Sequence, residues 1–265
     1  MVDVLVILDG ACEAQGTPNP TLEVARTPAL DSVSASGECS WVQLLAPGVP
    51  VGSETAIAAL LGWVPDGPVD RGAVEAAARG IVVAPGQRAW RVDVGVRPHR
   101  HKLVMIGAAE PQIRAETAVE IWPRGAIPPR ILDGSTFVIA AAGAAAGLGR
   151  LMGATVVIPP GATGRPGSDL AAKRSAAQVA MADGATRVVV HVGGPDEAAH
   201  NLDRTAKIAA IEAADRELIG PLHRAVAAAG GTLTVCPDHG CDPETGMHVG
   251  GPVPRVTWSA IPVTR

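Results

Sequence analysis

Val4-Leu5-Val6-Ile7-Leu8 leaves no face for water, and that restricts what the chain can become. A strand with one solvated side alternates apolar and polar residues, whereas a short unbroken apolar run fits a central strand of a parallel sheet covered on both faces. Comparable runs stand at Phe137 to Ala141, Thr155 to Ile158, Arg187 to Val192 and Thr232 to Val235. Helical patterns separate them, at Ala144 to Met152, about Ser168 to Ala182 and about Asp203 to Ala229. Strands that alternate with helices predict right-handed βαβ units, and therefore an α/β fold built on a parallel sheet flanked by helices.

Nearer the amino terminus, Thr27-Pro28 opens a helix through about Ala35, with proline placed early where its missing N–H does no harm. Val42 to Leu45 reads as a second strand and Thr55 to Leu61 as a helix. From about Gly67 to Arg130 the texture changes to shorter segments richer in arginine and proline. Ala73 to Arg79 is a brief helix there, Arg88 to Val96 a strand exposed on one face, and Lys102 to Ile106 another strand. The division expected is a core of residues 1–66 and 131–265 carrying a small inserted α+β cap, residues 67–130. A chain of 265 residues can bury a core of that size.

The apolar runs stop on polar residues, and in an open α/β sheet ligands gather at the carboxyl edge of the strands. Asp9 ends the first run, and Pro237-Asp238-His239-Gly240 ends the last. Upstream, Asp196 and His200 are spaced i, i+4, which puts them on one face of a helical turn, and His248 follows His239 by nine positions. Ser53 begins the helical pattern that runs to Leu61; a serine there is ordinarily an N-cap, yet the amino end of a helix also favours an arriving phosphate. These carboxylates, imidazoles and the hydroxyl make a set large enough for two metal ions. The basic residues Arg71, Arg91, Arg97, Arg100, His101 and Lys102 read as a clamp for an anionic substrate or, taken singly, as a solvated face.

A formal charge of -4 without any block of like charge argues against a nucleic acid or a membrane surface as partner. Tyrosine is absent and Phe137 is the one phenylalanine, which also argues against base stacking. Cys12, Cys39, Cys236 and Cys241 form no CxxC pair and read as reduced thiols, Cys241 in a structural role. Met1 leads straight into a strand and no apolar run reaches spanning length, so a cytoplasmic location is expected.

Taken in order, Leu8-Asp9-Gly10, the stretch from Ala46 through Gly52-Ser53-Glu54-Thr55-Ala56, Arg71-Gly72-Ala73-Val74-Glu75-Ala76, Gly161-Ala162-Thr163-Gly164, Gly194 through His200, Pro237-Asp238-His239-Gly240 and His248 carry a likeness. The set resembles the archaeal-type cofactor-independent phosphoglycerate mutases of the alkaline phosphatase superfamily. The resemblance implies an alkaline-phosphatase-like sheet and a serine, Ser53, that becomes a phosphoserine. It groups Asp9, Ser53, Asp238 and His239 around one divalent metal and Asp196, His200 and His248 around a second, with oxygen and nitrogen donors that suit Mn or Zn. A small phosphorylated acid is then the substrate, held by Arg71, Arg91, Arg100 and His101, with Lys173 a further candidate. Family members are considerably longer, the missing length falling in the cap, and Glu54 stands where aspartate is expected. A mutase must hold its dephosphorylated intermediate and exclude water, so the short cap keeps open a phosphomonoesterase, or a transferase of specialised metabolism acting on a phosphonate or nucleotide-activated acid. A non-catalytic metal-binding homologue is the third reading. A homo-oligomer in which a neighbouring subunit completes the cap is left open.

Overall fold

The computed structural model describes residues 1–95, 101–113 and 118–261. The chain runs through β1 (Asp3–Leu8), α1 (Thr21–Val24), α2 (Pro28–Ser36), β2 (Glu38–Val42), α3 (Ser53–Leu60) and α4 (Arg71–Ala78). Next come β3 (Arg88–Val94), β4 (His101–Gly107), β5 (Val119–Ile121), β6 (Thr136–Ile139), α5 (Ala144–Met152), β7 (Thr155–Val157) and α6 (Leu170–Ala182). The last part holds β8 (Arg187–Val192), α7 (Gly194–His200), α8 (Arg204–Ala214), α9 (Gly220–Ala228), β9 (Thr232–Cys236), β10 (Gly240–Cys241), β11 (His248–Val249) and β12 (Val253–Ser259).

A seven-stranded sheet has the order β2-β12-β9-β1-β8-β6-β7. β9, β1, β8, β6 and β7 are parallel, as the apolar runs require. β12 runs antiparallel to both β9 and β2, so an antiparallel edge is added to the expected parallel sheet. β12 escapes sequence reading because Gly250-Gly251-Pro252 and Pro254 look like a loop. β2 lies at Glu38–Val42, earlier than the Val42 to Leu45 expected, because it is fixed by its ladder with β12.

β1 is buried on both sides. Val4, Val6 and Leu8 join a core with residues of α6, α8 and α9, while Leu5 and Ile7 join one with residues of α3, α4 and α5. Each such side chain contributes about 1.5–3 kcal/mol relative to exposure, which makes a one-residue slip of β1 prohibitive. The helix expected from Asp203 to Ala229 is interrupted by a π turn over Asp215–Ile219 between α8 and α9. Pro221 has no N–H to return to the Glu217 carbonyl, and Arg174 Nη1 donates to that oxygen at 3.0 Å instead.

A separate three-stranded antiparallel sheet has the order β4-β3-β5. β3 was expected to show one face to water; instead its residues Ala89 to Asp93 are all buried, because α4 packs against it and pairs with its charges. α4 also packs on α5, where any side chain at Gly147 would collide with the Val74 carbonyl. Among the described residues no helix is long and apolar enough to cross a membrane.

Candidate metal centre

The parallel register sets Ile7 level with His191 on one side and Cys236 on the other. Asp9 after β1 and Asp238-His239 after β9 therefore emerge at one edge, beside α7 with its Asp196 and His200. Gly10 makes the turn in left-handed backbone, φ +59°, and a Cβ there would stand 2.7 Å from Asp196 Oδ1. Only glycine lets the turn and α7 approach so closely. Gly10 N and His239 N donate to Asp238 Oδ1 at 3.2 and 3.0 Å. Its Oδ2 is left buried without a hydrogen-bond partner.

The seven ligand candidates read from the sequence come together here. Ser53 Oγ lies 3.4 Å from Asp9 Oδ1 and 3.4 Å from His239 Nε2. His239 Nε2 is 3.4 Å from Asp9 Oδ1. Asp196 reaches His200 Nε2 at 3.2 Å and His248 Nε2 at 3.5 Å, and those two nitrogens are 3.0 Å apart. Ser53 is the first residue of α3 and Gly52 occupies the cap position, which corrects the capping expectation and frees the hydroxyl to face Asp9 and His239.

The donor set fits divalent cations. Each histidine directs Nδ1 at a carbonyl: His200 at Gly246 (2.7 Å), His239 at Gly240 (3.1 Å) and His248 at Val51 (3.1 Å). An imidazole that donates through Nδ1 presents a lone pair at Nε2, the arrangement by which outer contacts orient metal-binding histidines. Two such lone pairs 3.0 Å apart repel unless a proton or a metal cation is shared beside them. The carboxylates tell the same story. Burial, with Asp238 and Asp196 nearby, pushes the Asp9 carboxyl well above its ordinary range. Burial would raise Asp196 too, but hydrogen bonds with His200 and His248 hold it well below. Burial would lower His248, and its hydrogen bond with Asp196 outweighs that, lifting it to about 9.

His191, not singled out in the sequence, also enters the site. Its Nε2 is buried 3.1 Å from Asp9 Oδ2, and burial lowers the ring to about 4. The signal was present: a lone imidazole near the carboxyl end of an otherwise apolar strand is the same pattern that marks Asp9. Cys241 Sγ stands with Asp196, His200 and His248, each within 4.8 Å of the others.

The site opens into a cavity of about 830 Å³ that Ser53, Arg71, Arg91, His101, Lys102 and Trp122 also line. The arginines there are paired. Arg71 bonds Glu54, and Glu75 at 3.0 Å; Arg91 forks onto Asp93 at 2.9 and 3.0 Å and meets Glu75 at 3.3 Å. Burial would raise Glu75, yet Arg71, Arg91 and Arg79 together hold it down at about 2. Both Arg71 and Arg91 also stack on Trp122, Arg91 at 4.1 Å from the ring centre. Arg100 lies outside the described residues, as does Arg97. Lys173 is corrected: its side chain is fully buried behind the site and its Nζ donates to the His191 carbonyl at 2.7 Å, out of reach of a substrate in the cavity. Burial lowers its ammonium to about 8.

With oxygen and nitrogen donors converging at the edge of an α/β sheet, the fold and site define a metalloenzyme. The sequence profile of the metalloenzyme superfamily matches residues 1–261, and the chain belongs to that superfamily, with an α/β fold around a mixed seven-stranded sheet. It is a distant homologue of archaeal 2,3-bisphosphoglycerate-independent phosphoglycerate mutases. The mutase of Methanopyrus kandleri is 34% identical over 123 residues, 46% of this chain but only 29% of that enzyme's length. The enzyme of the same name from Ignicoccus hospitalis is 27% identical, covering 97% of this chain and 88% of its own. Among solved structures, the PH0037 protein from Pyrococcus horikoshii is similar at a TM-score of 0.79 and 25% identity, over 97% of this chain and 85% of that one.

Proposed function

We propose that this protein transfers a phosphoryl group through Ser53 in a metal-dependent reaction on a small phosphorylated acid of the phosphoglycerate type. The observation that carries the reading is the Ser53 hydroxyl, uncapped at the start of α3, 3.4 Å from both Asp9 and His239, and open to the cavity. Divalent cations held by Asp9, Asp238 and His239 and by Asp196, His200 and His248 supply Lewis acidity and neutralise phosphoryl charge. The protein's own part is positional. Asp9 and His239 aim Oγ at the cavity, and the amino end of α3 favours the phosphoryl oxygens as Ser53 becomes esterified. Arg71, Arg91 and His101 orient the substrate's anionic groups, with residues 67–130 acting as the cap over a core of residues 1–66 and 131–265.

One observation favours a second outcome of the same chemistry. Glu54, Glu75 and Asp93 balance Arg71, Arg79 and Arg91, which weakens the wall's grip on the carboxylate of the dephosphorylated intermediate. Release before return of the phosphoryl group, with water as acceptor, makes the enzyme a phosphomonoesterase. Phosphorus NMR of the manganese-loaded protein with 3-phosphoglycerate separates these. A 2-phospho isomer without free phosphate supports the mutase, and free phosphate supports hydrolysis. An unchanged spectrum sinks the phosphoglycerate reading and moves the search to phosphonates and activated acids. Ser53→Ala should abolish turnover while retaining metal by elemental analysis; substantial residual turnover would remove Ser53 from the role.

A further inference from the structure

Cys241 stands directly opposite His248 in the ladder of β10 and β11. Opposed residues of an antiparallel pair project from the same face, so thiol and imidazole point the same way. Sγ, an Asp196 oxygen and one ring nitrogen each of His200 and His248 all lie within 4.8 Å of one another. The other cysteines end on backbone carbonyls: Cys12 on His239, Cys39 on Ser34 and Cys236 on Pro237. Cys241 Sγ instead stands 4.0 Å from His200 Nδ1. Its backbone is fixed, the N–H donating to the Cys12 carbonyl at 2.9 Å and the carbonyl accepting from Lys207 Nζ at 2.5 Å. Beside it lies the Asp196 carboxylate, which meets His200 Nε2 at 3.2 Å and His248 Nε2 at 3.5 Å.

We propose that Cys241 is the fourth protein ligand of the cation held by Asp196, His200 and His248, making that position an Asp-His-His-Cys site selective for zinc. The inference rests on the two-metal reading above. On coordination the S–H bond breaks, its proton leaves to solvent, and the sulfur lone pair forms the bond to the metal. Thiolate is a soft donor that favours zinc over manganese, whereas Asp9, Ser53, Asp238 and His239 offer only oxygen and nitrogen.

Zinc K-edge absorption on the zinc-loaded protein tests the idea without any variant. A sulfur shell at about 2.3 Å is expected, averaging about half a sulfur per zinc when both positions fill. Cys241→Ser, with Cys241→Ala as a second form should the serine variant misfold, should lose that shell. It should also weaken zinc binding at least about tenfold while leaving manganese binding within about twofold. A nitrogen and oxygen shell alone in the parent, or sulfur retained in both variants, overturns Cys241 as ligand and leaves the phosphoryl-transfer reading standing. Failure to take up any divalent metal overturns both.

Discussion

Lys207 carries an ammonium group with no surface at all in water. Its Nζ donates to Glu13 Oε1 at 2.7 Å and to the Cys241 carbonyl at 2.5 Å, and Glu13 in turn accepts from Thr21 N and Oγ1 at 2.9 and 2.7 Å. Burying the pair is expensive, and only the fit of these contacts offsets it; removing one partner costs about 3–5 kcal/mol because the other charge stays buried. Lys207→Met should therefore lower the free energy of unfolding in urea by an amount of that order, read as a lower midpoint with little change in slope. Adding Glu13→Gln should recover part of the loss, and a single variant as stable as the parent would show the pair to be idle. Nothing in the sequence marks this contact: Lys207 sits in a helix whose lysine would ordinarily be solvated, and its partner lies 194 positions away. Asp9 and Asp238-His239 were legible because a strand stops on each. Cys241 reads as structural from the sequence, and only the fold brings its thiol beside Asp196, His200 and His248.

At the level of elements, α4 is held to β3 and α3 by charge as much as by apolar contact. Glu75 meets Arg71, Arg79 and Arg91, and those guanidiniums keep its carboxyl at about 2 against an ordinary 4.5. In the unfolded chain the group takes its proton at the higher pH, so between about 4.5 and 2 the unfolded state binds more protons than the folded one. The contribution to stability is whole above 4.5 and fades as pH falls toward 2, and is at most on the order of 3 kcal/mol. Glu75→Gln should thus be less stable than the parent at pH 6, with the gap narrowing by pH 3 in urea unfolding. A gap of constant size would mean that Glu75 is not the titrating group. The bounds of α5 and β8 match the sequence reading because apolar runs set both. α4 was legible as a helix but its role was not, since an arginine cluster in sequence looks like a free cationic patch until Glu54, Glu75 and Asp93 are seen to balance it.

Across the whole molecule the seven-stranded and three-stranded sheets meet around the cavity, and two polar ties connect elements on either side of it. Arg71 on α4 bonds Glu54, the residue after Ser53, and Lys102 on β4 bonds Glu197, the residue after Asp196, at 3.0 Å. The second tie is partly exposed, its side chains 43% and 29% accessible, and pairs of that kind contribute about 0–1 kcal/mol. Lys102→Ala should accordingly shift Tm by no more than about 4 °C. Both partners line the cavity, so their charges act on an anionic substrate whether or not they touch each other. Losing the cation should raise KM for the phosphorylated acid that proves active. Glu197→Ala breaks the same tie while leaving Lys102 unpaired, and should lower KM. If the tie mattered instead as a mechanical latch between the sheets, the two substitutions would change the kinetics in the same direction, with kcat falling in both. Opposite shifts in KM at nearly constant kcat are expected, and parallel losses of kcat would replace the electrostatic account of this wall with one of closure.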